Sequence, residues 1–288
     1  MTETTDSSPE PPPDSGPVES NPATSEAISS DAQEKESGTK LSAPRELAIL
    51  VAIAVVLYYV TLTFVARPYL IPSESMEPTL QGSHGVGDRI MVDKVTYRFG
   101  SPRPGDVIVF KGPPSWNVGY KSIRSDNTAV RWVQNALSFV GFVPPDENDL
   151  VKRVIAVGGQ TVQCRNDTGL TVDGKRLGEP YLDPGTMMPN PDVPLPPCPG
   201  TGGADVEFGP VAVPQGRLWV MGDNRTHSAD SRAHCTSIPA DALKGLLCTG
   251  DPMSGTVPVG NVIGNARFIL WPPARWGVVR AVNPQQNQ

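Results

Sequence analysis

Several common routes to function have little material in this chain of 288 residues. Histidine is scarce: His84, His227 and His234 are all there are. None stands in a G-x-S-x-G or similar setting, so a histidine-based triad has no local support, although three histidines are enough to build one. The four cysteines, Cys164, Cys198, Cys235 and Cys248, include no CxxC pair, which argues against a zinc ribbon or a thioredoxin-like site. Their even number fits two disulfides in a domain outside the cytoplasm. Nearest neighbours would join Cys164 to Cys198 and Cys235 to Cys248, but three connectivities are open. A basic excess is also missing. Residues 1–45 hold nine acids and three bases, which accounts for the whole net charge of −6; the remaining 21 acids and 21 bases balance. A nucleic-acid partner is therefore not indicated. No internal repeat is visible.

Proline (32) and glycine (28) are plentiful, which favours turns and strands over a helical bundle. Residues 1–45 are rich in Pro, Ser, Glu and Thr and nearly free of large apolar side chains. Such a segment cannot offset its ordering entropy by burial, so a disordered acidic tail is expected. Residues 47–66, LAILVAIAVVLYYVTLTFVA, carry no charge. About twenty apolar residues is what a helix needs to cross hydrocarbon, so a transmembrane helix is expected over 46–67. The run is too long for a cleaved leader's core and follows a long acidic tail. A buried soluble helix is the plain alternative. Lys40 and Arg45 before it and Arg67 after it favour a cytoplasmic tail and an extracytoplasmic body.

From residue 68 on, short β-rich runs alternate with Gly/Pro/Asp turns: 89–95, 106–110, 151–157, 170–174 and 217–222. The expected fold is mainly β: one N-terminal transmembrane helix, then an antiparallel β catalytic body with a small inserted second region. Expected boundaries are 68–160 for the first part of the body with an insertion at 112–149, 161–215 for the second region, 216–280 for the rest of the body, and a tail at 281–288. Asn127–Phe139 has a helical apolar period, with Asp126 or Ser125 to cap it and Gly141 to end it. It suits an amphipathic helix on the body or on a membrane surface, ordinary packing being the simpler role.

Three clusters carry chemistry. After the apolar run comes Ile71-Pro72-Ser73-Glu74-Ser75-Met76-Glu77-Pro78-Thr79-Leu80, a loop constrained by two prolines. In an extended path Ser73 and Ser75 would face one side. A serine nucleophile needs a base. Lys152, within Leu150-Val151-Lys152-Arg153-Val154-Ile155, qualifies because apolar surroundings lower a lysine pKa; an edge charge against aggregation is the plain reading. Met221-Gly222-Asp223-Asn224-Arg225 and Ser228-Ala229-Asp230-Ser231-Arg232 offer an Asp/Arg pair and hydroxyls that suit orienting a lysine, or simply a polar turn.

In this order behind an apolar helix, and with Gly105-Asp106-Val107-Ile108-Val109-Phe110, Gly264-Asn265-Ala266 and a late Trp-Pro, these segments resemble the bacterial type I signal peptidases over roughly residues 45–278. The resemblance implies a membrane-bound serine endopeptidase that removes signal peptides from exported preproteins after an A-x-A-like site. It implies Ser75 as nucleophile, Lys152 as general base, and an oxyanion hole from the Ser73 hydroxyl and the Ser75 N–H. Ser228 would orient the lysine, Asp230 and Arg232 would form a supporting pair, and Asp223 would pair with Arg153. Ile71, Pro72, Met76, Leu150 and Val151 would line a substrate groove. It implies no cofactor and no metal. The partners it implies are secretory preproteins, the lipid bilayer and proximity to the export translocon, at the plasma membrane. Trp271 and Trp276 would sit at the lipid interface or in the core. Glu74, Glu77 and Ala233-His234-Cys235 depart from the family pattern. A self-cleaving repressor-type Ser–Lys protease, a non-catalytic anchored domain and a histidine-dependent hydrolase are the rival readings.

Overall fold

The computed structural model describes residues 43–82, 87–116, 124–139, 149–187, 196–200, 206–235, 246–248 and 251–286. The chain forms two units, Met1–Glu46 and Leu47–Gln288. Of the first, only the opening turn of helix α1 (Ala43–Val60) is described; residues 1–42 of the expected tail lie outside the described residues.

Helix α1 continues into a π-helical turn, Thr61–Val65, giving 23 helical residues in a row. At about 1.5 Å per residue they reach roughly 34 Å, enough for a hydrocarbon layer of about 30 Å. No side chain of α1 is buried, as a helix in a soluble core would require. The helix ends two residues before the expected boundary at 67. Ala66 is already extended (φ −153°, ψ 144°), and Arg67 and Pro68 lie in the first strand. Pro68 has no N–H to continue the helical ladder.

The first half of the body supplies strands β1 (Ala66–Leu70), β2 (Arg89–Asp93), β3 (Val107–Lys111), β4 (Asp149–Val157), β5 (Thr161–Arg165), β6 (Gly169–Val172) and β7 (Lys175–Arg176). The second supplies β8 (Glu207–Ala212), β9 (Arg217–Met221), β10 (Leu246–Leu247), β11 (Val257–Pro258), β12 (Val262–Trp271) and β13 (Gly277–Val278). An antiparallel sheet runs in the order β1-β2-β12-β3-β4-β9-β11, with β13 also on β12. The other sheet runs β10-β8-β5-β6-β7. The stretch 161–215 supplies β5 to β8 of this second sheet. Leu246–Leu247, from outside that stretch, adds a parallel strand beside β8.

Three buried clusters hold these layers. Ile155, Ala156, Trp219 and Met221 of the large sheet pack with Val162, Leu170, Val172 and Phe208 of the small one. The Phe208 and Trp219 rings stack 5.4 Å apart. A second cluster, including Tyr69, Ile71, Met76, Leu80, Ile90 and Val92, lies beneath the loop after β1. The third joins Ile108, Phe110, Val154 and Val220. Each fully buried large apolar side chain contributes about 1.5–3 kcal/mol. Of the three cysteine connectivities, the structure has Cys164–Cys198 and Cys235–Cys248.

The short helix α2 (Thr96–Phe99) and the helix α3 (Thr128–Phe139) complete the first half of the body. Asn127, not Asp126 or Ser125, caps α3: its Oδ1 accepts from Ala129 N at 3.0 Å and Val130 N at 3.3 Å. Its expected stop, Gly141, lies outside the described residues. Three further short helices follow among the described residues, α4 (Pro184–Met187), α5 (Ser231–His234) and α6 (Pro252–Gly255). Trp271 and Trp276 are 49% and 64% exposed, so neither is a core residue.

Candidate active site

The loop after β1 does not stay extended, as the sequence suggested. Ser73 is extended (φ −132°, ψ 153°), but Glu74–Met76 close into a 3-10 turn, with Glu77 N donating to Glu74 O at 3.0 Å. Ser75 rides on this turn. The two hydroxyls still meet, Ser73 Oγ lying 3.3 Å from Ser75 Oγ. Three backbone bonds pin the loop: Ile71 N to Asp88 O, Leu80 N to Met76 O, and Asn224 N to Ser75 O at 3.2 Å. Below it, Ile71 and Met76 are 2% and 1% exposed within the second core cluster. They lie beneath the loop, whereas of the other expected groove residues Pro72 is exposed and Leu150 and Val151 are partly buried.

Lys152 reaches Ser75 from the centre of the sheet. Its Nζ donates to Ser75 Oγ at 2.7 Å and to Val151 O at 2.9 Å, and the residue is 3% exposed. Burial strips water from the ammonium and pushes its pKa down to about 8, against the pull of Asp230 and Asp223; Arg232 pushes the same way as burial. The amine is therefore a competent proton acceptor near neutral pH.

Asp230 and Arg232 pair through two bonds, Nε to Oδ1 at 2.8 Å and Nη2 to Oδ2 at 2.7 Å. Burial alone would raise the Asp230 pKa. The Arg232 charge and bonds, the Gly222 N–H at 3.0 Å and the Ser228 hydroxyl outweigh it and hold it at about 2. Asp230 also caps α5, accepting from Arg232 N. Arg232 further donates to the carbonyls of Pro199 and Arg225.

Ser228 departs from its expected contact. Its buried Oγ does not bond the Lys152 amine, which is turned to Ser75 and Val151 O instead. The residue is nonetheless close by: a Cβ built on Gly222 would stand 2.3 Å from Ser228 Oγ and 2.4 Å from Ser75 O. Glycine is thus required where the two active-site segments cross.

Behind the lysine, Arg153 holds Asp223 with Nε to Oδ1 at 2.8 Å and Nη2 to Oδ2 at 2.7 Å, both side chains fully buried. Arg153 also donates to Gly105 O and Arg280 O and lies 4.1 Å over the Tyr181 ring. Thr79 Oγ1 donates to Asp223 Oδ2, which ties the serine loop to this pair. Glu179, partly buried, forms a further pair with the buried Arg225. The sequence places Thr79 and Arg225 in motifs without giving either a task, and Glu179 in none. Nothing local gives Thr79 or Glu179 its role: their partners lie 144 and 46 residues away.

The two carboxylates beside the nucleophile do not crowd it. Glu74 is exposed, and Glu77 Oε1 accepts from Gly82 N. The histidines do not serve Ser75 among the described residues. His227 Nδ1 meets Thr226 and Asn224, and His234 stacks on Trp116 at 4.4 Å; His84 lies outside the described residues.

Comparison with known proteins points to one family. A family model described as signal peptidase, peptidase S26, matches residues 44–271. The protein named signal peptidase I from Mycobacterium tuberculosis is 75% identical over 250 residues, covering 86% of this chain and 80% of that one. The one named probable signal peptidase I from Mycobacterium leprae is 67% identical over 298 residues and covers both chains in full. A signal peptidase I from Bacillus licheniformis is 33% identical over 240 residues, covering 83% of this chain and 95% of its own.

Proposed function

The chain belongs to the signal peptidase family, peptidase S26, and from that premise we propose that Ser75 and Lys152 are the dyad with which it cuts signal peptides from preproteins. It is a serine endopeptidase of the signal peptidase I kind. The observation that carries the residue assignment is the 2.7 Å contact between a buried lysine amine, its pKa near 8, and Ser75 Oγ.

In this reading the neutral Lys152 amine takes the Ser75 proton as Oγ attacks the carbonyl carbon. The oxyanion is held by the Ser75 N–H and the Ser73 hydroxyl, donors of the kind worth about 2.7–4 kcal/mol each. The ammonium returns its proton to the departing amine of the mature protein, leaving an acyl ester on Ser75. The lysine then deprotonates a water that hydrolyses the ester. Val151 O holds the amine in line throughout, and the Asp230–Arg232 and Asp223–Arg153 pairs keep the lysine strand and the serine loop in register.

The substrate enters as an added strand. Strand β9 stops at Met221, opposite Arg153, so the edge of β4 at Leu150–Lys152 has no ladder partner on that side among the described residues. A peptide laid there passes Pro72, Leu150 and Val151 and brings its scissile bond to Ser75. Small residues at an A-x-A site fit this reading. Helix α1 crosses the plasma membrane with the acidic tail inside and the body outside, near the export translocon. The two disulfides support an oxidising side for the body.

The test is cleavage of an A-x-A preprotein by the detergent-solubilised full chain, with the cut located by mass. Ser75→Ala and Lys152→Ala each reduce turnover to background, while His227→Ala and His234→Ala retain it. Activity kept in Lys152→Ala would transfer the role of base elsewhere.

A further inference from the structure

Helix α3 leaves its apolar side uncovered among the described residues. Ala129, Val130, Trp132, Val133, Ala136 and Leu137 fall on one side of the helical wheel. A surface helix in water turns such a side inward. On the polar side only Ser138 is buried and Gln134 half-buried, with Gln134 Oε1 accepting from Ser125 N just before the helix at 3.0 Å, while Thr128, Arg131 and Asn135 are exposed. The apolar side faces out, with Val130 46%, Trp132 72%, Val133 49% and Leu137 40% exposed. In water this arrangement forgoes the burial of several large apolar side chains, each worth about 1.5–3 kcal/mol.

The position of α3 names what covers it. Ser138 O, at the C-terminal end of α3, accepts from Arg67 Nη2 at 3.3 Å. Arg67 follows the last helical residue of the apolar anchor, Val65, by two positions. One end of α3 is therefore held within a side chain's reach of the point where the anchor stops. The surface there is apolar too: Phe64 and Val65 are exposed, Arg98 lies 5.5 Å over the Phe64 ring, and the neighbouring Phe99 is 88% exposed. Where the anchor leaves the hydrocarbon, α3 lies at the lipid surface with it.

We propose that α3 is a second membrane element, lying in the plane of the same phospholipid bilayer. Its apolar side sinks about 5–10 Å into the boundary between headgroups and acyl chains, and its polar side carries the body. Trp132, apolar in body with one N–H, suits that boundary. One anchoring helix alone leaves the body free to swing. A second contact to the side of it restrains the body against the bilayer. This inference rests on α1 spanning the membrane, and the experiment separates the two.

The full chain is reconstituted into phosphatidylcholine–phosphatidylglycerol vesicles containing brominated lipid, and the emission of Trp132 is taken as the difference between wild type and Trp132→Phe. Flotation with the vesicles reports α1. We expect the Trp132 emission to be lost more to bromines near the headgroup end of the acyl chain than to bromines near its terminus, and to be shielded from aqueous iodide. Flotation with Trp132 open to iodide and untouched by bromines overturns the α3 assignment alone. Shielding from both quenchers points to a protein on this face and also overturns it. Failure to float overturns the anchor and this inference together. Val133→Glu with Leu137→Glu should lower cleavage of a bilayer-borne preprotein several-fold and leave cleavage of a short soluble signal peptide unchanged. Equal loss on both substrates shows a merely structural helix and counts against the proposal.

Discussion

An ordinary lysine at pH 7 is uncharged in only about one molecule in a few thousand, which makes it a poor base. Lys152, with its pKa near 8, is uncharged in about one molecule in ten. The cause is geometric. The side chain is buried in the sheet, and the nearest carboxylates are each already bound by an arginine. The sign of the pH dependence follows. Below pH 8 the amine is protonated and cannot accept the Ser75 proton, so kcat/KM should fall about tenfold per pH unit on acidification and level off above the titration. A pH–rate profile with a soluble signal peptide checks this, and a flat acid limb refutes the lysine as base. In the sequence Lys152 was one of two adjacent charges in an apolar strand, open to reading as an edge charge, and the motif order of the resembled family singled it out. The roles of Thr79, Gly222 and Glu179 were not legible there, because their significance lies in what they touch across the fold.

Among the elements, β4 and the turn after β9 do most to assemble the site. Strand β4 is flanked by β3 throughout and by β9 from Arg153 on, and both Lys152, packed against Ser75, and Arg153, bound to Asp223, are buried. Arg153 is bound to Asp223 immediately past β9, and Thr79 ties the serine loop to the same carboxylate. Removing the carboxylate leaves a guanidinium in the interior with no countercharge. Asp223→Ala should therefore lose about 3–5 kcal/mol of stability. Thermal unfolding measures it, and Asp223→Leu combined with Arg153→Met should recover much of the loss. An unchanged Tm in Asp223→Ala would show that the pair does not hold these elements together. The sequence pattern located β2, β3, β4, β6, β9 and α3 from their periodicities, but not β1, β5, β8 or the long β12. It missed the 3-10 turn at Glu74–Met76, since residues flanked by prolines read equally well as extended. For α3 the period shows that a helix has an apolar side, but not what that side meets.

At the scale of the whole molecule, an apolar anchor of 23 residues leads directly into an edge strand of the catalytic sheet, and Ser75 follows ten residues after the anchor ends. With the tail inside and the body outside, protease added to intact cells should digest the body and spare an epitope on residues 1–42; loss of that epitope would reverse the orientation. The apolar helix and the mainly β body were readable from the chain alone, while the Ser75–Lys152 proposal and the two Asp/Arg pairings came from the order of motifs that the resemblance rests on. Length of apolar run, period-two alternation and motif order are local properties that survive without coordinates. Only the tertiary structure decided that Ile71 and Met76 are buried in the cluster beneath the serine loop, that the lysine amine turns to Ser75 and Val151 O and not to Ser228 Oγ, and that α3 leaves its apolar side exposed. Each of these depends on which distant segments share a volume from which water is excluded. Burial and hydrogen-bond partnership are set by that shared volume, and no stretch of sequence contains it.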